Sequence, residues 1–400
     1  MSIFTAAERF AAFDRSTVSL DTSRCLHSQD RYSTCTACFE LCPVDAITTC
    51  KPPVLNAKKC NNCLACLPAC PVGAYEADDV VASLLNAVAH LDEGVLELLC
   101  ERNTQAALGI SKASTGIRVR GCLAGLGSGA YFALAAFRLE NVLVRTEACS
   151  GCEWRTLPKQ VALQVRQAKQ LLEAWGKAET LECVSKLVSP LERPFWEAAS
   201  PPVSRRDLFR LAVVQGQAAV ARAVEEVGAG AGRRPGRDRL RVLGTVAHLP
   251  EPQLGNSISL MERDFAWVSV SKACTACGVC ARACPTKALV FEKNKEETTF
   301  KLTFSPRNCV GCDICLHVCA QDAVTIDDAP DFAHIFGESQ PVVLQEGTLT
   351  RCKGCNTLIA SQPAVSLCPL CDYRRSHPFG SSLPPGCKFP KSTVHEEKGS

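Results

Sequence analysis

The sequence predicts a multidomain α+β and α/β protein in which two similar cysteine-rich modules flank a small parallel-sheet α/β domain, with a cysteine knuckle following at the C-terminal end. Three observations lead there. The 27 cysteines of the 400-residue chain are clustered, in groups spanning Cys25–Cys70, Cys100–Cys152, Cys274–Cys319 and Cys352–Cys371, while Cys50, Cys183 and Cys387 fit none of the spacings. The first and third groups repeat one spacing, an internal duplication on the scale of a domain. The second group follows apolar runs that alternate with helical patterns, as in a parallel α/β unit. The divisions expected are 1–80 and 242–335 for the two modules and 81–200 for the α/β domain. Residues 201–241 hold a helix and a Gly/Arg-rich linker (GAGAGRRPGRDRLR), and 336–400 the knuckle segment.

Composition narrows the class. Apolar residues at 46% and charged residues at 21% describe a globular chain rather than a disordered one. A secreted disulfide scaffold would be shorter and would carry a signal peptide. The first twenty residues set Glu8, Arg9 and Asp14 among apolar ones and read as an amphipathic helix, not an export signal. The longest uncharged run, between Arg120 and Arg138, is glycine-rich and barely long enough for a bilayer. It is expected as a buried helix, which leaves no integral membrane segment. The cysteines are therefore expected in a reducing cytoplasm, serving metals.

The third group carries the clearest chemistry. Cys274, Cys277, Cys280 and Cys284 follow C-x2-C-x2-C-x3-C, with Pro285 next. Cys309, Cys312, Cys315 and Cys319 repeat the spacing, with Ala320 in place of proline. Such short spacing lets one loop wrap three corners of an iron–sulfur cubane, while the fourth cysteine opens a helix and turns to the neighbouring cluster. That crossover assigns Cys274, Cys277, Cys280 and Cys319 to one cluster (site IV) and Cys284, Cys309, Cys312 and Cys315 to a second (site V). A zinc site would not need a third cysteine in each loop.

In the first group Cys60, Cys63, Cys66 and Cys70-Pro71 form a complete motif. Its partner, Cys35, Cys38 and Cys42-Pro43, has Tyr32 where a fourth cysteine is expected. Cys25 can supply the corner if residues 26–34 loop out. Cys50 is the rival, in a hairpin-like segment (AITTCKPPVLN) on the other side of the motif. The sets are then Cys25, Cys35, Cys38 and Cys70 (site I) and Cys42, Cys60, Cys63 and Cys66 (site II), with a [3Fe–4S] cluster the alternative at the irregular site. Both modules resemble bacterial two-cluster ferredoxins, over roughly residues 20–80 and 265–330. The resemblance implies a ββαββα-like sandwich and close pairs of [4Fe–4S] clusters, four in all, suited to electron hopping. The formal charge of +3 counts thiols as neutral; four oxidised cubanes on deprotonated thiols would bring it to roughly −5 or lower. That sign suits an electron carrier and not a nucleic-acid binder.

In the middle segment VLELLC ends at Cys100, IRVRGC at Cys122 and ENVLVRTEAC at Cys149, with Cys152 three residues on. Val161, Val165, Leu171, Leu172 and Trp175 then recur at helical spacing. Parallel strands would bring all three strand ends to one sheet edge, where ligands of open α/β sheets bind. Four cysteines converging there could hold one [2Fe–2S] cluster (site III); the alternative is a buried core in which they only pack. RVRGC and LVRTEACSGC resemble the small iron–sulfur delta subunit of methyl-viologen-reducing hydrogenases. That likeness implies electron passage between a hydrogenase and a flavin-containing partner. The run GLGSGA at 125–130 is a lone match to a dinucleotide fingerprint, with no acidic partner at a clear strand end.

Cys352-x2-Cys355 and Cys368-x2-Cys371 stand twelve residues apart, the spacing of a zinc-ribbon-like knuckle that closes a small structural domain around one Zn. Mononuclear iron is the rival metal. SRRDLFRLAVV from Ser204 matches a twin-arginine export pattern but lies some two hundred residues into the chain. Ser204 and Asp207 as a capping box, with Leu208, Leu211 and Val214 on one face, explain it as a helix. It also resembles the SRR segment of cytosolic ferredoxins associated with periplasmic nitrate reductases, which would make it a docking helix. His90, His317 and His334 are isolated and receive no role.

No catalytic residue stands out. The expected function is a non-catalytic electron-transfer subunit, relaying electrons between a donor (ferredoxin, hydrogenase or flavoprotein) and a redox enzyme, its partners being redox proteins or oxidoreductase subunits. The competing readings are a catalytic subunit and a maturation factor. Because the α/β domain lies between the modules in sequence, the relay is not expected to run straight from one module to the other, and this domain is the expected meeting place with a partner.

Overall fold

A computed structural model describes residues 18–377, except 79, 90, 92–93, 137–138, 200–232, 253–264, 295, 297, 328–334, 337–339 and 362–364. The twin-arginine segment, His90, His334, Cys387 and the N-terminal amphipathic stretch lie outside the described residues.

The first module closes on itself through β1 (Ser19–Leu20), which pairs antiparallel with β2 (Tyr75–Glu76). Between them lie two single helical turns, α1 (Leu26–Gln29) and α2 (Cys66–Ala69), and an antiparallel bridge from Ile47 to Leu55. Regular structure is sparse because the backbone is committed to wrapping the cysteine sites.

The chain continues through α3 (Val80–Ala89), β3 (Val95–Leu99), β4 (Leu108–Gly109), β5 (Thr115–Arg118), α4 (Ser128–Ala136), β6 (Asn141–Arg145), α5 (Leu157–Glu173), β7 (Leu181–Val184), β8 (Leu191–Glu192) and β9 (Phe195–Glu197). Five of these strands form one wholly parallel sheet in the order β7-β6-β3-β5-β9. β3 and β6 are nearly continuous apolar runs, with Leu96, Leu98, Val142 and Val144 fully buried, as strands covered on both faces must be. The helix expected in the uncharged run is α4. It is buried from Gly129 to Ala136 on every side because α5 and a later helix sandwich it. α5 buries Val161, Val165, Leu171 and Leu172 as the periodicity predicts. Trp175 lies beyond its end, its ring tilted against Phe132 at 5.6 Å and its indole N–H donated to the Pro250 carbonyl at 2.8 Å.

The Gly/Arg-rich linker is corrected in part. Residues from Arg237 onward form α6 (Arg237–Ala247), whose buried face is Arg241, Val242 and Thr245. α6 lies against α4, and the glycines of GLGSGA make the approach possible. A Cβ on Gly129 would lie 2.4 Å from the Asp238 carbonyl oxygen, and one on Gly127 (φ +87) 2.2 Å from the Asp238 carboxylate. The glycine-rich run is thus accounted for by close packing of helices.

The second module comprises β10 (Trp267–Val270), α7 (Val279–Ala283), β11 (Leu289–Asn294), β12 (Thr299–Phe304), α8 (Ile314–His317) and β13 (Val324–Asp327). β10 pairs antiparallel with β13, in the place β1 and β2 take in the first module. The knuckle segment adds β14 (Val342–Arg351), β15 (Leu358–Ala360) and α9 (Pro369–Ser376). β14 extends the β11–β12 hairpin, so one antiparallel sheet, β11-β12-β14-β15, runs across the expected boundary at residue 336.

The two modules, expected to be separated by the α/β domain, touch directly. Val310 and Ile314 of the second share one buried core with Leu26, Leu64, Val72 and Tyr75 of the first. His317 Nδ1 lies 2.7 Å from Asp30 Oδ2 across the same contact. The expectation failed because sequence order does not fix which surfaces remain apolar after each module has closed.

Candidate metal centres

In the second module both C-x2-C-x2-C loops are built on left-handed backbone at the same two offsets. Ala276 (φ +56) and Gly278 (φ +66) serve the first loop, Gly311 (φ +57) and Asp313 (φ +59) the second. Asn62 (φ +55) and Leu64 (φ +64) hold those offsets in the complete loop of the first module. Asparagine and aspartate tolerate this region; alanine and leucine are strained in it by roughly 1–3 kcal/mol each. Alternating right- and left-handed residues turn successive amides inward, forming a concavity for an anion. A second repeat follows the fourth cysteine of every motif. Asp45, Gly73, Lys287 and Asp322 are all left-handed, each three residues after Cys42, Cys70, Cys284 and Cys319. The turn brings the next amide onto the sulfur: Ala46 N donates to Cys42 Sγ at 3.3 Å, Ala74 N to Cys70 at 3.2 Å and Ala323 N to Cys319 at 3.3 Å.

The thiols sort into groups by mutual influence. At site II burial pushes Cys63 up to about 11, with Cys42 and Cys60 acting in the same direction. Burial likewise raises Cys66, aided by Cys63, Cys60 and Cys42. At site I burial raises Cys25 and Cys38, with Cys35 adding to both. Cys70, raised to about 11 by burial, feels Cys35 and Cys38. The second module repeats the crossover. Cys280, raised to about 11 by burial, feels Cys277, Cys274 and Cys319; Cys312, raised to about 12 by burial, feels Cys284 and Cys309. Burial also raises Cys315, whose neighbours are Cys309, Cys312 and Cys284, and then Cys280 of the other set.

The insertion after Cys25 is an ordered turn. Cys25 caps α1, Asp30 N donates to Leu26 O at 2.8 Å and Asp30 Oδ1 accepts from Tyr32 N at 2.9 Å. His27 Nε2 meets the Cys35 carbonyl at 2.7 Å, tying the two ends of the insertion together. Cys50 is exposed, with Thr48 Oγ1 2.7 Å from its sulfur.

The carboxyl ends of β3, β5 and β6 bring Cys100, Cys122, Cys149 and Cys152 around one small pocket, closed by Leu123, Trp154, Leu157 and Pro158. β5 stops at Arg118, and a turn through Gly121 (φ +77) delivers Cys122, with Gly121 N donated to Glu101 Oε2 at 2.7 Å. Burial raises Cys122 to about 12 and Cys149 to about 11, with Cys100 among the neighbours acting on both. Beneath the sheet edge lies a charge network absent from the sequence reading. The side chains of Glu97, Arg145 and Arg193 are fully buried; Arg145 donates to Glu97 and Glu147, and Arg193 Nε to Glu97 Oε1 at 3.1 Å.

At the knuckle the sulfurs of Cys352, Cys355, Cys368 and Cys371 all lie within 4.8 Å of one another. The Cys368 amide donates to Cys352 Sγ at 3.1 Å, which with the Gly354 amide holds the Cys352 thiol down at about 6. Four sulfurs at this separation suit one tetrahedral ion. The loops after Cys60, Cys274 and Cys309 suit a larger group, because each sets three cysteines around a concavity lined by backbone amides.

Among the described residues no helix is long and apolar enough to cross a membrane. A search of curated proteins finds no match to the chain. Residues 273–323 match the family model described as a 4Fe-4S dicluster domain, and residues 53–76 that of a 4Fe-4S binding domain. The chain therefore carries two ferredoxin-type 4Fe-4S domains, which make it an iron–sulfur protein with an electron-transfer role.

Proposed function

We propose that this chain is a multi-cluster relay subunit, carrying four [4Fe–4S] clusters at sites I, II, IV and V, a [2Fe–2S] cluster at site III and one structural zinc at the knuckle. The observation that carries it is the repeated loop geometry, with left-handed residues two and four positions after Cys60, Cys274 and Cys309 and again three positions after Cys42, Cys70, Cys284 and Cys319, in and beside the stretches that match 4Fe-4S family models. Cys25 completes site I in preference to Cys50. Bound clusters would supply one-electron chemistry; the chain's own residues bury the thiols, turn amides toward the sulfurs and keep water out. Amide hydrogen bonds to sulfur and burial are the levers that set potential at such sites.

The likeness of the α/β segment to the hydrogenase delta subunit favours a role between a ferredoxin, hydrogenase or flavoprotein donor and a redox enzyme in the cytoplasm. The units would be the two modules, the α/β domain, and a knuckle built onto the second module's sheet. Iron, sulfide and zinc per chain on anaerobically purified protein test this directly. About eighteen irons and one zinc are expected. About sixteen would withdraw the cluster at site III, and about eight or fewer after reconstitution would overturn the proposal.

A further inference from the structure

Resting on the proposed sites, we infer that they form one unbranched series, III–II–I–V–IV, with the α/β site and the Cys274 site as its two ends. Each junction has its own contact. Between III and II, the Cys122 amide donates to the Cys63 carbonyl at 3.4 Å, and Cys63 is among the groups acting on the Cys122 thiol. The turn carrying Cys122 lies so close that a Cβ on Gly121 would sit 2.9 Å from the Asn62 carbonyl oxygen. II and I are joined by α2, which begins at Cys66 of one set and is capped by Cys70 of the other.

The junction between modules is the one sequence order hides. Cys35 and Cys70 of site I line a cavity of about 450 Å3 together with Cys312 of site V. Val310 and Ile314, flanking Cys312, share their buried core with Cys70. Within the second module α7 contains Cys280 of site IV and is capped by Cys284 of site V, joining the two as α2 joins II and I. The surface that meets the first module includes the Cys309–Cys315 loop, with Ala283 and Val318 packed against the same core. Asp30 and His317 pin this junction: Asp30 caps the turn α1 in the insertion that follows Cys25, and His317 follows Cys315 by two residues. Electron tunnelling falls steeply with distance, so an electron moving between modules crosses from I to V, one cluster being oxidised as its neighbour is reduced. No proton or bond need change.

The test is EPR of the full chain, purified anaerobically and reduced with dithionite. Pulsed measurements of coupling between reduced clusters should, in the unaltered protein, place sites I and V as the nearest pair across the modules. Cys309→Ser with Cys312→Ser, which removes site V, should abolish the splitting that the second module imposes on the site I signal. Cys274→Ser with Cys277→Ser, which removes site IV, should leave that splitting in place. Loss of the splitting only in the second variant, or a nearest inter-module pair other than I and V, overturns the order. Iron content separates the two claims. Full iron with a different coupling pattern defeats the series alone, whereas missing iron defeats the cluster assignment beneath it. If a variant sheds iron elsewhere, the distances in the unaltered chain decide.

Discussion

Arg145→Met should loosen the α/β domain where its sheet feeds site III. The Arg145 side chain is fully buried and donates to Glu97, to Glu147 and to the Leu108 carbonyl at 3.0 Å. Methionine fills much of the volume and removes every donor. Glu97 keeps Arg193, the Ser114 hydroxyl at 2.5 Å and the Ile110 amide at 3.0 Å, so its charge is diluted rather than stranded. Glu147 keeps Asn103 Nδ2 at 2.8 Å, and the Leu108 carbonyl loses its guanidinium. Removing one member of a buried ion pair costs about 3–5 kcal/mol. Cluster loss makes global unfolding irreversible, so the measurable quantity is local opening. At about 1.4 kcal/mol per tenfold, amides of β3 and β6 should exchange with deuterium about two to four orders of magnitude faster. Hydrogen-exchange mass spectrometry of peptides spanning residues 95–99 and 141–145 reads this directly. Arg145→Lys, which keeps the charge but not the fork, should fall between. Exchange within about threefold of the unaltered protein, under 1 kcal/mol, would refute the idea that this network holds the sheet edge.

Three further outcomes follow from particular geometries. Cys25→Ser should lower iron by about one to four per chain and alter one EPR signal, while Cys50→Ser should change neither; equal effects would contradict the set built on the α1 turn. Gly121→Ala places a Cβ 2.9 Å from the Asn62 carbonyl at φ +77, and should cost roughly 1–3 kcal/mol. It should raise deuterium uptake at residues 60–66 and 119–125 together, and uptake confined to one segment would count against their contact. The Cys368 amide lowers Cys352 while its cysteine neighbours raise Cys371 to about 12, so zinc must displace protons from the knuckle and loses ground to them as pH falls. Zinc release to a chromogenic chelator should therefore be slow at pH 7.5 and marked at pH 5; equal retention at both would refute the assignment.

The 4Fe-4S motifs of Cys60–Cys70 and Cys274–Cys319 were legible because three cysteines of each loop fall within seven consecutive residues, where spacing dictates how the loop closes. Site III was legible at the level of strand ends, since parallel strands share an edge. The sheet itself was read as three strands because β7 and β9 are short and partly exposed, with no apolar run to announce them. Arg237–Arg241 looked like linker because arginine and glycine dominate it, yet the buried Arg241, Val242 and Thr245 give α6 a packing face. Least legible was the junction between modules. Asp30 and His317 are 287 residues apart, and neither is one of the cysteines that a motif makes conspicuous.

A series of redox sites is meaningful only if its members keep their distances, and α6 supplies the restraint. It is tied to all three bodies by polar contacts at its N-terminal end. Gly236 N donates to the Pro71 carbonyl at 2.7 Å and Arg237 Nη1 to the Ala77 carbonyl at 3.1 Å, both in the first module. Asp238 accepts from Gly129 N at 3.0 Å and Ser128 Oγ at 2.9 Å, both at the start of α4 in the α/β domain. The Arg239 guanidinium lies 3.5 Å over the ring of Phe265, which leads into β10 of the second module. Acidic side chains suit helix N-termini, so Asp238 bridges two of them at once, satisfying the first turn of α4 from the first turn of α6. A flexible linker would have let the duplicated modules drift, and the contact between sites I and V would be transient. With three consecutive residues of one helix contacting three bodies, the apolar faces at this junction are held together, as the proposed series requires.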